Sequence, residues 1–174
     1  MASASRSPDM DHALIAQGVS SSESGQPRAG GPSTMRAAVI SMGGEIFTID
    51  LKSVREVFVV ESIIPVPGMP SGLVGVTNLR GTVIPLLDLR PMFGLDAVIT
   101  LRYAVVVQHL NWQVGLLVDG VPEIRTIAKD QFLPAPAGTR EGAFPFVSTV
   151  VKLEDRLRGV LETSVMLSHF EGKS

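Results

Sequence analysis

The sequence predicts an all-β protein, and three observations carry that reading. Of 174 residues, 45% are apolar but only 5% aromatic, and 22 Val, 17 Leu and 10 Ile make any core aliphatic. Such β-branched side chains favour strands. From Met35 onward, short apolar stretches alternate with turn residues, at the spacing of about eight to twelve residues expected of a sandwich or small barrels. No helix-length amphipathic segment separates them, which argues against βαβ units.

The chain divides at about residue 34. Residues 1–34 hold eight Ser, four Gly and three Pro with few large apolar side chains, too little to offset the entropy of folding. They are expected to form a disordered tail, with Met10 to Gln17 as the stretch that could become a short partner-binding helix. Residues 35–170 suit a single domain. The opening residues lack the basic end and apolar run of a signal peptide. Gly, Pro or charge interrupts every later apolar run well short of a membrane span. The expectation is a soluble, cytoplasmic protein without direct membrane insertion.

The elements follow in order. Arg36–Met42 and Glu45–Leu51 flank Gly43-Gly44, a two-residue hairpin turn that needs positive φ. Phe47, Ile49 and Leu51 share one face of the second strand. Val54, Val57 and Phe58 recur at i, i+3 and i+4 and predict a brief helical turn. Val59–Ile64 is then extended, and Pro65-Val66-Pro67-Gly68-Met69-Pro70 interrupts any ladder. A second hairpin runs Leu73–Leu79, Arg80-Gly81, Thr82–Leu89, where Pro85 cannot donate and so predicts an edge strand, a bulge or an outward-facing position. Further strands are expected over Leu101–Gln108, Trp112–Asp119, Val121–Ile127, Phe146–Lys152 and Leu157–Glu162, nine or ten in all. Residues 163–170 read as a closing helix capped by Thr163 or Ser164, with Val165, Met166, Leu167 and Phe170 on its core face.

Composition removes many chemistries. With no cysteine there is no disulfide scaffold, thiolate metal site or Cys nucleophile. Fifteen Lys and Arg against seventeen Asp and Glu, a net charge of −2, leave no basic field for nucleic acid. His12, His109 and His169 form no ligand pattern, and the glycines lack nucleotide-binding spacing, so neither a metal nor a cofactor is expected. A carboxylate dyad could divide acid and base roles, which makes Asp88 and Asp119, both at strand ends, the remaining candidates for an aspartate-dependent hydrolase. Neither is followed by the Thr or Ser and Gly of such a loop, and an aspartate leaving a strand ordinarily caps the next turn. Glu56 and Arg80 both sit among apolar residues. They read either as a carboxylate–guanidinium pair or as two unrelated exposed charges.

The string Gly75-Val76-Thr77-Asn78-Leu79-Arg80-Gly81-Thr82-Val83-Ile84-Pro85-Leu86-Leu87-Asp88-Leu89-Arg90 closely resembles the signature of the CheW-like domain family of chemotaxis coupling proteins. Val54-Arg55-Glu56-Val57 and Pro65-Val66-Pro67 before it match in the family's order, as do Phe93-Gly94-Leu95, Val114–Val121 and Leu133-Pro134-Ala135-Pro136 after it. The likeness spans residues 35–168. It departs from the family pattern at Glu162, where an aspartate is common, and over residues 139–149.

The resemblance implies two intertwined five-stranded SH3-like barrels on a shared core and a non-enzymatic adaptor in two-component signalling. One partner would be the regulatory domain of a CheA-type histidine kinase. The other would be the cytoplasmic hairpin tip of a chemoreceptor, received in a groove between the barrels within a membrane-associated array. An equivalent adaptor of a pilus-motility or second-messenger system is the alternative. Carried over by position, Glu56 and Arg80 would pair near the receptor groove and Val54, Val57 and Phe58 would supply apolar contacts. Gly75, Asn78, Gly81, Pro85, Asp88 and Asp119 take structural roles in this reading.

Overall fold

A computed structural model describes residues 33–96, 103–139, 142 and 144–171. The expected tail through residue 32, with its Met10–Gln17 stretch, lies outside the described residues, as do Leu101 and Arg102 of one expected strand; Thr34, the last residue assigned to the tail, already belongs to the first strand. The elements are β1 (Thr34–Met42), β2 (Glu45–Asp50), a 3₁₀ turn (Leu51–Ser53), β3 (Val54–Val59), β4 (Leu73–Leu79), β5 (Thr82–Leu87), β6 (Tyr103–His109) and β7 (Trp112–Val118). They continue with β8 (Glu123–Ala128), a 3₁₀ turn (Lys129–Gln131), β9 (Phe132–Pro134), β10 (Val147–Leu153), β11 (Arg156–Leu161) and the helix α1 (Thr163–Glu171).

The strands form two curled sheets in an SH3-like arrangement, as expected of the all-β class. The first has the order β8-β1-β2-β11-β10-β9 and the second β3-β6-β7-β5-β4. The first carries six strands rather than five because the three-residue β9 adds to the edge of β10. Each sheet contains one parallel pair, β2 with β11 through Phe47 and Gly159, and β5 with β7 through Leu86 and Gly115. The second barrel is therefore inserted between β2 and β8 of the first. The helix that follows the first barrel packs back on β6 and β7 of the second.

Local chemistry explains the turns. Gly43-Gly44, Arg80-Gly81 and Glu154-Asp155 all have positive φ at both central residues, the form that matches strand twist in a two-residue hairpin. At Gly75 the requirement is space, since a Cβ there would fall 2.5 Å from the Ile64 carbonyl oxygen. That close approach accompanies the isolated bridge between Ile64 and Val76.

One core joins the two sheets. Ile40, Met42, Phe47 and Ile49 of the first meet Leu87, Val105, Val107, Val114, Leu116 and Val118 of the second, and Met166, Leu167 and Phe170 of α1 cover them. Ala37, Ile127 and Val151 fill the first barrel, while Leu86, Ala104 and Leu117 fill the second. Strands β6 and β7 are thus covered on both faces, which is why Ala104–Val107 and Leu116–Val118 read as unbroken apolar runs.

Three local expectations are corrected. Val54, Val57 and Phe58 lie on strand β3, and the helical turn falls earlier, at Leu51–Ser53. A bulge between Val54 and Glu56 places Val54 opposite Val107 and Val57 opposite Val105. Residues three apart thereby come to share a face, which imitates helical spacing. Of the three positions open to Pro85, the edge strand is excluded, since β5 lies between β7 and β4. The proline is tolerated because the paired register with β7 begins only at Leu86. The helix begins as expected, but its first hydrogen bond runs from Met166 N–H to the carbonyl of Glu162, one residue before the predicted cap.

Candidate partner-binding site

Edge strands β3 and β4 stand at opposite ends of the second sheet, and curling brings them side by side. Past β3 the seam is closed by the Ile64–Val76 bridge and by the Thr77 hydroxyl, which donates to the Ser62 carbonyl at 2.8 Å. Towards the β4–β5 turn it is closed by side chains. Arg80, held at positive φ in that turn, donates through Nη2 to both carboxylate oxygens of Glu56 at 2.5 Å. Asn78 Oδ1 accepts from Gly81 N–H at 2.8 Å and fixes the turn that presents the arginine.

The β3 bulge decides which neighbours join this pair. Glu56 and Phe58 oppose Val106 and Ala104, so they face the interior of the second barrel, whereas Val54 and Val57 face the side of the central core. Phe58 packs on the Leu86, Ala104 and Leu117 cluster. It also lines, with Val59, Glu61 and Asn78, a cavity of about 230 Å³ beside Arg80. A second cavity of about 200 Å³ is also lined by Arg80, together with Glu56, Thr82 and Gln113 among others. The structure thus brings Glu56, Phe58 and Arg80 together. Val54 packs against the central core, and Val57, 39% exposed, borders neither cavity.

Arg80 keeps 71% of its side-chain surface exposed and Glu56 34%. Such a pair contributes only about 0–1 kcal/mol to folding. What the pair does in the fold is tie the β4–β5 turn to strand β3.

The two aspartates have a different surrounding, and Arg90 between them is the residue that sequence reasoning did not single out. Arg90 is fully buried, with its backbone N–H and Nη1 each 3.0 Å from Asp88 Oδ1 and its Nη2 2.6 Å from Asp119 Oδ1. Asp119 also accepts from Ser41 Oγ at 3.0 Å and from the amides of Gly43 and Gly44 at 3.1 Å each. Burial pushes the Asp119 carboxyl up, but the bonds from Arg90, Gly44, Gly43 and Ser41 outweigh it and hold it below its ordinary value. A general acid needs the opposite shift; this carboxylate instead ties Arg90 to the β1–β2 turn. The available signal was an arginine two residues after an aspartate, at the end of an apolar strand.

A larger cavity of about 640 Å³ lies where the two barrels and the start of α1 meet, lined by Met35, Phe132, Val160 and Leu161 with His109, Lys129 and Glu162. Among the described residues no group of three potential ligands could hold a metal, and no helix is long and apolar enough to cross a membrane.

Two small barrels packed on one shared core define a double-barrel β-protein. Known proteins share this layout. Residues 36–171 match the CheW-like domain family, and the chain belongs to that family. It is 29% identical over 135 residues to a probable chemotaxis protein CheW of Rhizobium etli, covering 76% of this chain and 87% of that one. It is 30% identical over 115 residues to Protein PilI of Pseudomonas aeruginosa, covering 65% of each. The crystal structure of scaffolding protein TtCheW from Thermoanaerobacter tengcongensis matches with a TM-score of 0.67 at 27% identity, covering 79% of this chain and 90% of that one. The family's members are chemotaxis scaffolds or adaptors rather than enzymes.

Proposed function

We propose that this chain is the adaptor that couples chemoreceptors to a CheA-type histidine kinase within an array. The observation that carries the reading is the Glu56–Arg80 pair, set across the seam of the second barrel beside Phe58 and largely open to solvent at the arginine. An exposed guanidinium in a fixed pose with an apolar neighbour suits the side of a helical hairpin, which offers both carboxylates and aliphatic side chains. Signalling then requires no chemistry on this chain. It requires only that the adaptor bind kinase-on and kinase-off geometries unequally.

The test is co-sedimentation with receptor-bearing membranes and with a kinase regulatory domain, for the wild type, Arg80→Ala and Glu56→Ala. The expected result is loss of receptor capture with retained kinase binding and an unchanged melting temperature. Wild-type protein that captures neither partner would remove the adaptor reading, and unfolding of the variants would make the pair structural.

A second reading is favoured by the likeness to Protein PilI, an equivalent adaptor in a pilus-motility system. Presenting the receptors and kinases of both kinds of system in the same assay separates the two by preference.

A further inference from the structure

Asp119 follows β7 of the second barrel, yet most of its contacts belong to the first. Its Oδ1 accepts from Gly43 N–H at 3.1 Å, its Oδ2 accepts from Gly44 N–H at 3.1 Å and from the Ser41 hydroxyl at 3.0 Å, and its own N–H donates to the Ser41 carbonyl at 2.8 Å. The same carboxylate takes Arg90 Nη2 at 2.6 Å, and Arg90 is held in turn by Asp88. One side chain therefore gathers the β1–β2 turn of one barrel and the β5 and β7 ends of the other.

An independent observation concerns fit. A Cβ on Gly43 would fall 2.8 Å from Leu95 Cβ and 3.1 Å from the Asp96 carbonyl oxygen. On the Gly43 side the hairpin tip is seated with no room for a side chain, while the Gly44 side is open. The central core joins the barrels over a larger area, but apolar contact is non-directional. Hydrogen bonds weaken steeply once they leave their axis, so they define an angle that the core does not.

We propose that Asp119 is the positioning residue of the joint between the barrels, fixing the angle at which the β1–β2 hairpin seats on the second barrel. Its consequence for signalling rests on the adaptor reading. With the joint loosened, each partner still binds, but a change at one is no longer passed to the other.

Hydrogen exchange by NMR on the full chain tests the joint itself. Asp119→Asn places an amide NH₂ group where only acceptors fit, against Arg90 or a turn amide. The amides of Gly43 and Gly44 are expected to exchange about tenfold faster or more, with a smaller change at Val105 and Leu116, whose amides lie in the central strands. Ser41→Ala, which removes one hydroxyl and is the milder change, should move the same two amides by a few-fold and decides the matter if Asp119→Asn prevents folding. Uniform acceleration across both barrels, or no change at Gly43 and Gly44, overturns the proposal. In a reconstituted receptor–kinase assembly, Asp119→Asn should keep both partners but lose the stimulus-dependent change in kinase activity, and unchanged control overturns the signalling consequence. Failure of the wild type to capture either partner removes the adaptor reading and leaves the exchange result standing.

Discussion

Replacing Arg90 by methionine removes a fully buried cation and leaves Asp88 and Asp119 facing the same space without it. Deleting one member of a buried ion pair costs about 3–5 kcal/mol, chiefly because the other charge is left uncompensated. Two carboxylates share this arginine, which raises the cost. Their side chains retain 11% and 24% exposure, so water reaches them and lowers it. The expected loss is about 3–4 kcal/mol, a large part of a typical domain's stability, and corresponds to a fall of roughly 10 °C in Tm. Urea unfolding followed by the fluorescence of the single Trp112, which packs against the central core, measures it. The pH dependence supplies a sign. In the wild type the lowered Asp119 carboxyl contributes stability that is fully present above its unfolded value and is lost as pH falls through the lower folded value. Without Arg90 one lowering bond is gone while burial remains, so Asp119 of the variant takes up its proton at higher pH. The deficit against wild type should therefore be smaller at pH 4 than at pH 7. A loss below about 1 kcal/mol, or a deficit that widens towards acid, refutes this account of the network.

Two further outcomes follow from packing. Gly75→Ala forces a Cβ against the Ile64 carbonyl and should cost about 2–4 kcal/mol, whereas Gly81→Ala, with open space but positive φ, should cost about 1 kcal/mol; chemical denaturation ranks them. Phe58→Ala empties part of the second barrel's interior and should cost about 3 kcal/mol, while the partly exposed Val57→Ser stays under about 1 kcal/mol, and equal costs would contradict the facing assigned by the β3 bulge.

Much of the fold was legible because its signals are local. Gly43-Gly44 announced a hairpin through the φ values glycine permits, Arg80-Gly81 announced one by parting two apolar runs, and the Thr163–Glu171 helix announced itself through apolar spacing. The errors also have physical causes. The bulge at Arg55 made a strand imitate a helix, and β9 is too short to carry a period. Pro85, which cannot donate, allowed an edge among other positions, and it sits inside the sheet because the ladder with β7 begins only at Leu86. For the site, Glu56 and Arg80 are 24 residues apart, and their meeting depends on how the second sheet curls, which no spacing in the chain encodes. Arg90 was hidden for the same reason, since its second carboxylate lies 29 positions away.

The parallel pair between β2 and β11 also governs how the molecule comes into being. The second barrel occupies one unbroken stretch, Val54 to Val118, and its ladders close from neighbours within that stretch. The first barrel must wait, because Phe47 finds its partner only at Gly159. A growing chain thus carries β1 and β2 with one edge of β2 unfilled until β11, the last strand described, has been made, and unfilled edges invite pairing with other chains. Closing so long a loop is also the slow kind of event in folding. Assembly of this scaffold ends when its last hairpin meets its first.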